Sequence, residues 1–337
     1  MKKTVFRMLC LVFLSCCFCD KNPSNFSSGD YELPTKVYTG SLTGEELLFH
    51  PIDAWMRFKG IFAADADGQN VRCLASYDPY GTASPSFLSD HRVLAIKNGK
   101  YDTDRDDIVI IDQGKVTALN IPVRSGEMIF YATALKGENS DKIVYVTNQF
   151  ELKIFSLTEQ YVVADVYEGG SIGKPAALPD GRIAYIADYY LDGLKVINAD
   201  GSLDKQFALP GGNGGTVLAL SDSRVLLATL INYEDIAIYI SQAGPSEPWT
   251  RVTGFPSSYL PRDPEFFSWG VQTLGNNKLA YVNDDDYQEA NPYFSVLVGD
   301  IVGSTIQNVK PIYQHKITSK KVSEGTAIYC LFWDLYN

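Results

Sequence analysis

The sequence predicts an all-β fold, a six-bladed β-propeller, and three observations support this prediction. Short apolar strands recur in groups of four with a period of roughly 40–50 residues, which is typical of propeller blades. Turn-forming pairs such as Asp67-Gly68 and Asp180-Gly181 separate the strands. No segment shows sustained helical periodicity. A chain of 337 residues is long enough to bury the core of one large all-β domain.

The strands of each blade are lettered A to D from the centre outward. The first complete blade is predicted to place strand A near 84–88, B at 92–97, C at 107–112 and D at 115–121. The next four blades begin with A strands at 128–134, 173–178, 215–220 and 268–274. The last blade combines a C-terminal A strand with N-terminal B, C and D strands, at 326–333, 46–49, 60–65 and 71–75. This pairing of the two chain ends closes the ring without an open sheet edge.

Residues 1–19 have the pattern of an export signal. Lys2, Lys3 and Arg7 form a basic region, and a short apolar run follows. Leu14-Ser15-Cys16-Cys17 resembles a bacterial lipobox, so Cys17, or else Cys16, is the predicted lipidation site. The alternative is an ordinary secretory signal with incidental cysteines. Residues 20–44 have the composition of a flexible linker, and residues 45–337 are assigned to the propeller.

The charge balance excludes one class of partner. The chain has 40 acidic and 29 basic residues, giving a formal net charge of −11. Nucleic-acid binding requires a surplus of Lys and Arg, so no nucleic-acid partner is expected.

No apolar run reaches the ~18 residues of a membrane-spanning helix, so membrane contact is expected only through the N-terminal lipid. The two cysteines outside the leader, Cys73 and Cys330, are predicted to be free, buried thiols, and the domain is expected to be monomeric.

One repeat motif resembles a known family. It consists of Asp65-Ala66-Asp67-Gly68-Gln69-Asn70, Leu74, Pro85-Ser86-Phe87, Asp90 and Val93-Leu94-Ala95, and 179–184 echoes its second half. This pattern resembles the TolB-like, WD40-like propeller repeat. The resemblance implies the propeller fold and imports no activity. Together with the leader, the chain is similar to propeller lipoproteins of Bacteroidetes. That likeness implies a lipid-anchored place in the cell envelope, at the outer membrane, the cell surface or the periplasm.

The longer loops are expected on one rim of the propeller. The B–C and D–A connections meet there, and every B–C connection contains an aromatic residue, Phe150 among them. Because function concentrates in irregular loops on a rigid scaffold, this long-loop rim is the predicted binding face. Aromatic faces beside carboxylates suit a glycan or a peptide, although such aromatics also pack blade against blade. The candidate ligand-binding residues are Trp55, Tyr80, Tyr101, Asp102, Tyr189, Tyr190, Tyr233, Trp269, Asp285 and Tyr287.

Motifs for metal binding and catalysis are weak. Asp102, Asp104 and Asp106 alternate as Ca²⁺ ligands can, but the loop departs from the calcium-binding consensus and is also explained as a solvated acidic loop. Ca²⁺ is therefore the one cofactor considered. The G-x-S-x-G at 169–173 lies between predicted strands rather than in the strand–turn–helix that a nucleophile requires. No catalytic residue is predicted.

The sequence thus favours a non-catalytic envelope lipoprotein that binds a glycan, a peptide or a partner protein on the long-loop rim. Two alternatives remain open. One is a polysaccharide lyase or hydrolase that uses rim carboxylates. The other is a structural scaffold of an envelope complex.

Overall fold

The predicted propeller is confirmed. The computed structural model describes residues 34–52, 60–76, 85–97, 106–124, 126–167, 170, 172–187, 193–210, 213–231, 235–256, 271–284, 293–316 and 332–336. Their 24 β-strands form six four-stranded antiparallel sheets. The helical content of the described residues is one 3₁₀ turn, Gly137–Asn139. None of the described helical structure is long and apolar enough to cross a bilayer.

The first 207 residues contain the strands of blades 1 to 3 and three strands of blade 6. The strands of blade 6 are β1 (Leu47–Ile52), β2 (Ile61–Ala64) and β3 (Arg72–Ala75). Blade 1 contains β4 (Ser86–Phe87), β5 (Val93–Lys97), β6 (Asp107–Asp112) and β7 (Lys115–Ala118). Blade 2 contains β8 (Ile129–Ala134), β9 (Lys142–Thr147), β10 (Glu151–Ser156) and β11 (Tyr161–Tyr167). Blade 3 contains β12 (Ala176–Ala177), β13 (Ile183–Ala187), β14 (Gly193–Ile197) and β15 (Leu203–Phe207).

The second half of the chain completes the ring. Blade 4 contains β16 (Asn213–Ala219), β17 (Val225–Ile231), β18 (Asp235–Ile240) and β19 (Thr250–Arg251). Blade 5 contains β20 (Val271–Leu274), β21 (Lys278–Asp284), β22 (Tyr293–Val302) and β23 (Thr305–Lys316). The last strand, β24 (Phe332–Tyr336), is the A strand of blade 6, whose order is β24-β1-β2-β3.

Ring closure follows the predicted plan with a shifted final strand. β24 pairs antiparallel with β1, from Leu48 opposite Tyr336 to Ile52 opposite Phe332. The described A strand covers 332–336 and so extends three residues past the predicted end at 333, while 326–331 lie outside the described residues. The shift has a simple cause: the C-terminal segment is an almost continuous apolar run, and only the pairing with β1 selects which part of it forms the strand.

The core lies between neighbouring blades. Leu94 and Ile108 of blade 1 pack in one buried cluster with Ile129, Tyr145 and Phe155 of blade 2. The B strand of blade 3, β13, is buried at every position, whereas the D strand of blade 1, β7, is exposed at every position. Strands B and C are covered on both faces. Their sequences are therefore apolar runs and do not alternate between apolar and polar residues.

Three A–B turns share one hydrogen-bonding pattern. In each turn an Asp carboxylate accepts a bond from the backbone N–H and from the guanidinium Nε of the Arg two residues later. The residue between them has a left-handed backbone, with φ of 66°, 86° and 69° in turn order. The pairs are Asp90–Arg92, Asp180–Arg182 and Asp222–Arg224. These turns form the rim opposite the long loops, which we call the short-turn rim.

Residues 37–44, which we call the strap, are packed on the propeller although their composition predicts a flexible linker. Val37 forms a parallel bridge with Cys73, and the backbone N–H of Tyr38 donates to the carbonyl of Cys73 at 2.7 Å. The Arg72 guanidinium lies 5.5 Å from the centroid of the Tyr38 ring. Tyr38 and Leu42 pack against the core between blades 6 and 1. The predicted linker boundary at residue 44 thus falls at the end of a segment that contacts the fold.

The strap extends the short outer edge of blade 6. In blade 3, the turn residue Gly201 packs against Ala164 of the outer strand of blade 2. The equivalent turn residue in blade 1, Gly114, packs against Val37 of the strap. β3, the outer strand of blade 6, has four residues where β11 of blade 2 has seven. The strap therefore completes the junction between blades 6 and 1. Cys73 lies beneath it as a buried free thiol, and burial raises its pKa.

Substituting Glu46 by Gln is expected to weaken this junction. The carboxylate of buried Glu46 accepts bonds from the backbone N–H groups of Thr43 and Gly44, each at 2.9 Å, and lies 3.7 Å from the Arg72 guanidinium. Loss of the charge weakens these bonds, and we expect the free energy of unfolding to fall by about 1–3 kcal/mol. Urea denaturation measures this difference. The exposed neighbour Glu45→Gln is the matched control, and equal effects of the two variants would contradict the structural role of the strap.

Candidate functional site

The predicted ligand residues lie outside the part of the chain that the structure describes. This applies to every predicted ligand residue and to the predicted lipidation and metal residues other than Asp106: Trp55, Tyr80, Tyr101, Asp102, Tyr189, Tyr190, Tyr233, Trp269, Asp285, Tyr287, Cys16, Cys17 and Asp104. The ligand-site prediction therefore stays a prediction. Cys330 also lies outside the described residues.

Asp106, the described member of the weak metal candidates, has a structural contact. Its side chain is buried, and its Oδ2 accepts a bond from the backbone N–H of Ile129 at 2.9 Å. This bond ties the B–C connection of blade 1 to the first residue of β8 in blade 2. Among the residues that the structure describes, no group of three or more His, Cys, Asp or Glu side chains is arranged to hold a metal ion.

Blade 2 offers the best-described portion of the long-loop rim, and three large apolar side chains are exposed on it. Met128 is 50% exposed, Phe150 is 40% exposed and Phe130 is 38% exposed. Met128 and Phe130 lie at the start of the inner strand, and Phe150 lies in the B–C turn that the sequence marked as aromatic. We call these three residues the rim patch.

The backbone at the rim patch is fixed by one amide side chain. Asn148 Oδ1 accepts from the backbone N–H of Met128 at 3.0 Å, and Asn148 Nδ2 donates to the carbonyl of Gly126 at 3.1 Å. The backbone N–H of Asn148 in turn donates to the carbonyl of Met128 at 3.0 Å. Phe150 has φ of 61°, a left-handed conformation that is unfavourable for an aromatic residue. The turn therefore presents Phe150 at a conformational cost.

A cluster of five charged residues lies beside the rim patch: Arg124, Glu127, Glu151, Lys153 and Asp165. The Lys153 side chain is 6% exposed, and its Nζ lies 2.6 Å from Oε1 of Glu127 and 2.7 Å from Oε2 of Glu151. The first contact is a hydrogen bond, and the second is an ion-pair contact outside hydrogen-bond geometry. Arg124 donates from a terminal guanidinium nitrogen to the other Glu151 oxygen at 2.8 Å and lies 4.0 Å from Asp165.

Burial and ion pairing shift the pKa values of Glu151 and Lys153 in opposite directions. Burial alone would raise the pKa of Glu151, but the nearby positive charges of Lys153 and Arg124 outweigh it and hold that pKa below its ordinary value. Burial would likewise lower the pKa of Lys153, yet Glu127 and Glu151 keep it above its ordinary value. Burial, and then repulsion from Glu151, raise the pKa of Asp165. Asp165 is thus the least compensated of the three carboxylates.

The charge cluster opens into a shallow recess on the outer side of blade 2. The recess has apolar walls from Pro122, Val123 and Val162, while Arg124, Lys153 and Asp165 provide its polar groups. Arg124 and Asp165 are partly exposed, at 66% and 41% of their side chains. The recess therefore combines an apolar wall with two partly exposed charged groups of opposite sign.

Sequence reasoning missed the charge cluster because its members come from separate elements along the chain. One signal was present: Glu151 and Lys153 alternate with the apolar Leu152 and Ile154 in a C strand that is buried at all six positions. Charged residues that are fully buried are almost always paired. A search for the partners of Glu151 and Lys153 would therefore have led toward this rim.

The comparisons with known proteins give a likeness of fold. No family model matches the chain, and no curated protein matches it. Among solved structures, the chain is similar to the crystal structure of the β-propeller domain of Myceliophteria thermophila Cps50 (Swd1). The sequence identity is 12%, the TM-score is 0.48, and the match covers 82% of this chain and 84% of that chain.

Replacement of Lys153 by Met is expected to destabilise the protein strongly. The substitution leaves the buried carboxylates of Glu127 and Glu151 without their shared cation, which typically costs about 3–5 kcal/mol. Urea denaturation at neutral pH measures the loss. The exposed residue Lys205 on β15 provides a matched control, and Lys205→Met is expected to change stability by less than about 0.5 kcal/mol. A Lys153→Met variant as stable as the control would contradict the buried ion pair.

The lowered pKa of Glu151 predicts a loss of stability in acid. A carboxylate with a lowered folded-state pKa stabilises the protein fully above its unfolded-state value, near pH 4.3, and this stabilisation disappears as the pH falls through the folded-state value. The difference in unfolding free energy between the wild type and Glu151→Gln should therefore shrink as the pH falls below about 4. Urea titrations between pH 7 and pH 3 test this, and a constant difference would be the contrary result.

Proposed function

We propose that this chain is a non-catalytic binding protein of the cell envelope, anchored by a lipid at Cys17 or Cys16, which holds a peptide or partner protein on its long-loop rim. The observation that carries the proposal is the rim patch of Met128, Phe130 and Phe150. Methionine and aromatic side chains are typical of adaptable protein-binding surfaces. All three come from the long-loop end of one blade, and exposed apolar groups on the same face of a protein favour a contact surface.

A glycan ligand is the second candidate, and the residue content of the remaining long loops favours it. Tyr189, Tyr190 and Trp269 have the flat amphipathic faces that stack on sugar rings, and Asp102 and Asp285 could bind hydroxyl groups. The rim patch itself contains no tyrosine or tryptophan. The peptide is therefore the preferred ligand at blade 2, and the glycan remains the alternative for the other blades.

Polysaccharide hydrolysis or cleavage is less well supported by the described carboxylates of the rim. A catalytic pair requires two acids that face a substrate. Glu127 and Glu151 instead both contact the buried ammonium group of Lys153, and this contact stabilises the fold. A scaffold role in an envelope complex is compatible with the proposed function, since a scaffold also binds a partner through an exposed patch. The TolB-like and Bacteroidetes resemblances remain predictions from the sequence.

The ligand class can be tested with the purified mature protein on a glycan array and a peptide library. We expect peptide binding, with Phe150→Ala weakening it at least tenfold because the displayed ring supplies much of the contact. The exposed Leu203→Ala on the outer strand of blade 3 is the control. Binding of glycans alone, abolished by Trp269→Ala and unchanged by Phe150→Ala, would overturn the peptide assignment.

The anchor can be tested by expression of the full chain in a Gram-negative host. We expect wild-type protein to incorporate labelled fatty acid and to sediment with membranes, because two or more acyl chains give stable anchoring. The Cys16→Ser and Cys17→Ser variants separate the two possible sites. An unlabelled wild-type protein that remains in the soluble fraction would contradict lipidation and favour the ordinary secretory signal.

A further inference from the structure

The rim patch displays an aromatic side chain at a position where the backbone disfavours it. Phe150 combines φ of 61° with 40% exposure, so its ring is only partly buried while its backbone is strained. Glycine or asparagine would satisfy the same turn at lower cost. Strained residues that persist without a packing benefit are often found at functional sites.

Polar side chains beside the rim patch bond within the protein, including the exposed Gln149, whose Nε2 donates to Asn148 Oδ1 at 3.3 Å. Both polar atoms of the Asn148 amide bond to neighbouring groups, and the Glu127 and Glu151 carboxylates contact Lys153. A sugar depends on hydrogen bonds from such groups, whereas an apolar side chain does not. The chemistry at blade 2 therefore favours a segment of protein over a glycan.

The charge cluster leaves one negative charge uncompensated. Three carboxylates share two cations: Lys153 contacts Glu127 and Glu151, and Arg124 bonds Glu151. Asp165 lies 4.0 Å from Arg124, the longest ion-pair distance in the cluster, and it lines the recess beside the apolar walls. A partly exposed carboxylate next to an apolar surface is complementary to a Lys or Arg side chain, whose aliphatic stem and charged end match both features.

We propose that the partner segment at blade 2 is basic: it places a large apolar side chain on Phe150 and Met128 and a Lys or Arg side chain in the recess beside Asp165. This inference rests on the proposed function. It adds the sign of the partner's charge and names Asp165 as the residue that binds the cationic side chain. The net charge of −11 assists association with a basic partner at long range. Asp165 provides the local contact.

The first experiment measures the charge preference. A library of 12-residue peptides displayed on phage is selected on the mature protein, and synthetic copies of enriched peptides are titrated by calorimetry. We expect enriched peptides to combine Phe, Leu or Trp with Lys or Arg, and we expect Asp165→Asn to weaken them at least fivefold. The control is Asp112→Asn, which makes the same change in net charge at an exposed position on the short-turn rim, and it should leave affinity within twofold.

The outcomes separate this inference from the proposed function. Peptides that bind through Phe150 without charge preference, and that Asp165→Asn and Asp112→Asn affect equally, would overturn the basic partner while leaving the peptide-binding function intact. Failure of every peptide to bind, or binding that Phe150→Ala leaves unchanged, would overturn both. Enrichment of acidic peptides would overturn the basic partner and indicate that Arg124, rather than Asp165, binds the charged side chain of the peptide.

The second experiment asks whether Phe150 serves binding or packing. We expect Phe150→Gly to raise the Tm by about 1–2 °C, because glycine relieves the left-handed strain, and to weaken peptide binding at least tenfold. Differential scanning calorimetry and titration of the same samples give both values. A Phe150→Gly variant with a lower Tm would show that the ring packs rather than binds, and would overturn the proposal.

Discussion

The architecture depends on the backbone hydrogen bonds between β24 and β1. These two strands come from opposite ends of the chain, yet they are neighbours in blade 6. Each blade buries its apolar faces only against the blades on either side, so an open ring would leave two of them uncovered. The strap reinforces the same junction from outside, where β3 is short and Gly114 packs against Val37. The ring is therefore closed at blade 6 by the β24–β1 pairing on the inside and by the contacts of the strap on the outside.

The two rims of the propeller differ in how their polar groups are used. On the short-turn rim, Asp–Arg pairs in three of the A–B turns bond the backbone of compact hairpins. At blade 2 the ion pair of Lys153 and Glu127 is buried, whereas Met128 and Phe150 on the long-loop rim are exposed. Buried ion pairs contribute less to stability than apolar packing of the same volume. Their presence at this rim is consistent with a surface shaped for contact rather than for stability alone.

Much of the fold was predictable because blade periodicity and turn chemistry are local. The predicted B and C strands of blade 1, at 92–97 and 107–112, agree closely with β5 and β6, since apolar runs bounded by Asp, Gly and Asn specify them directly. The exact position of β24 was not predictable, because an apolar run buried on both faces carries no register of its own. The strap was missed because its anchoring depends on distant partners such as Glu46, Arg72 and Gly114. Composition alone does not reveal such contacts.

The candidate site was predictable only in part, for a related reason. The aromatic Phe150 in a B–C turn could be read from the sequence, but its left-handed backbone and its exposure could not. The charge cluster joins a D–A connection, a C strand and a D strand, so only the assembled blade shows that Lys153 serves two carboxylates and that Asp165 is left under-compensated.

The most direct measurement of ring closure compares the mature chain with a chain that ends at residue 331, by urea unfolding followed with far-UV circular dichroism. If β24 closes the ring, the shortened chain should lose its single cooperative transition and unfold at a much lower urea concentration. An unchanged midpoint and slope would show that the other strands hold the propeller together without β24, and would contradict the dependence of the fold on the pairing of its two chain ends.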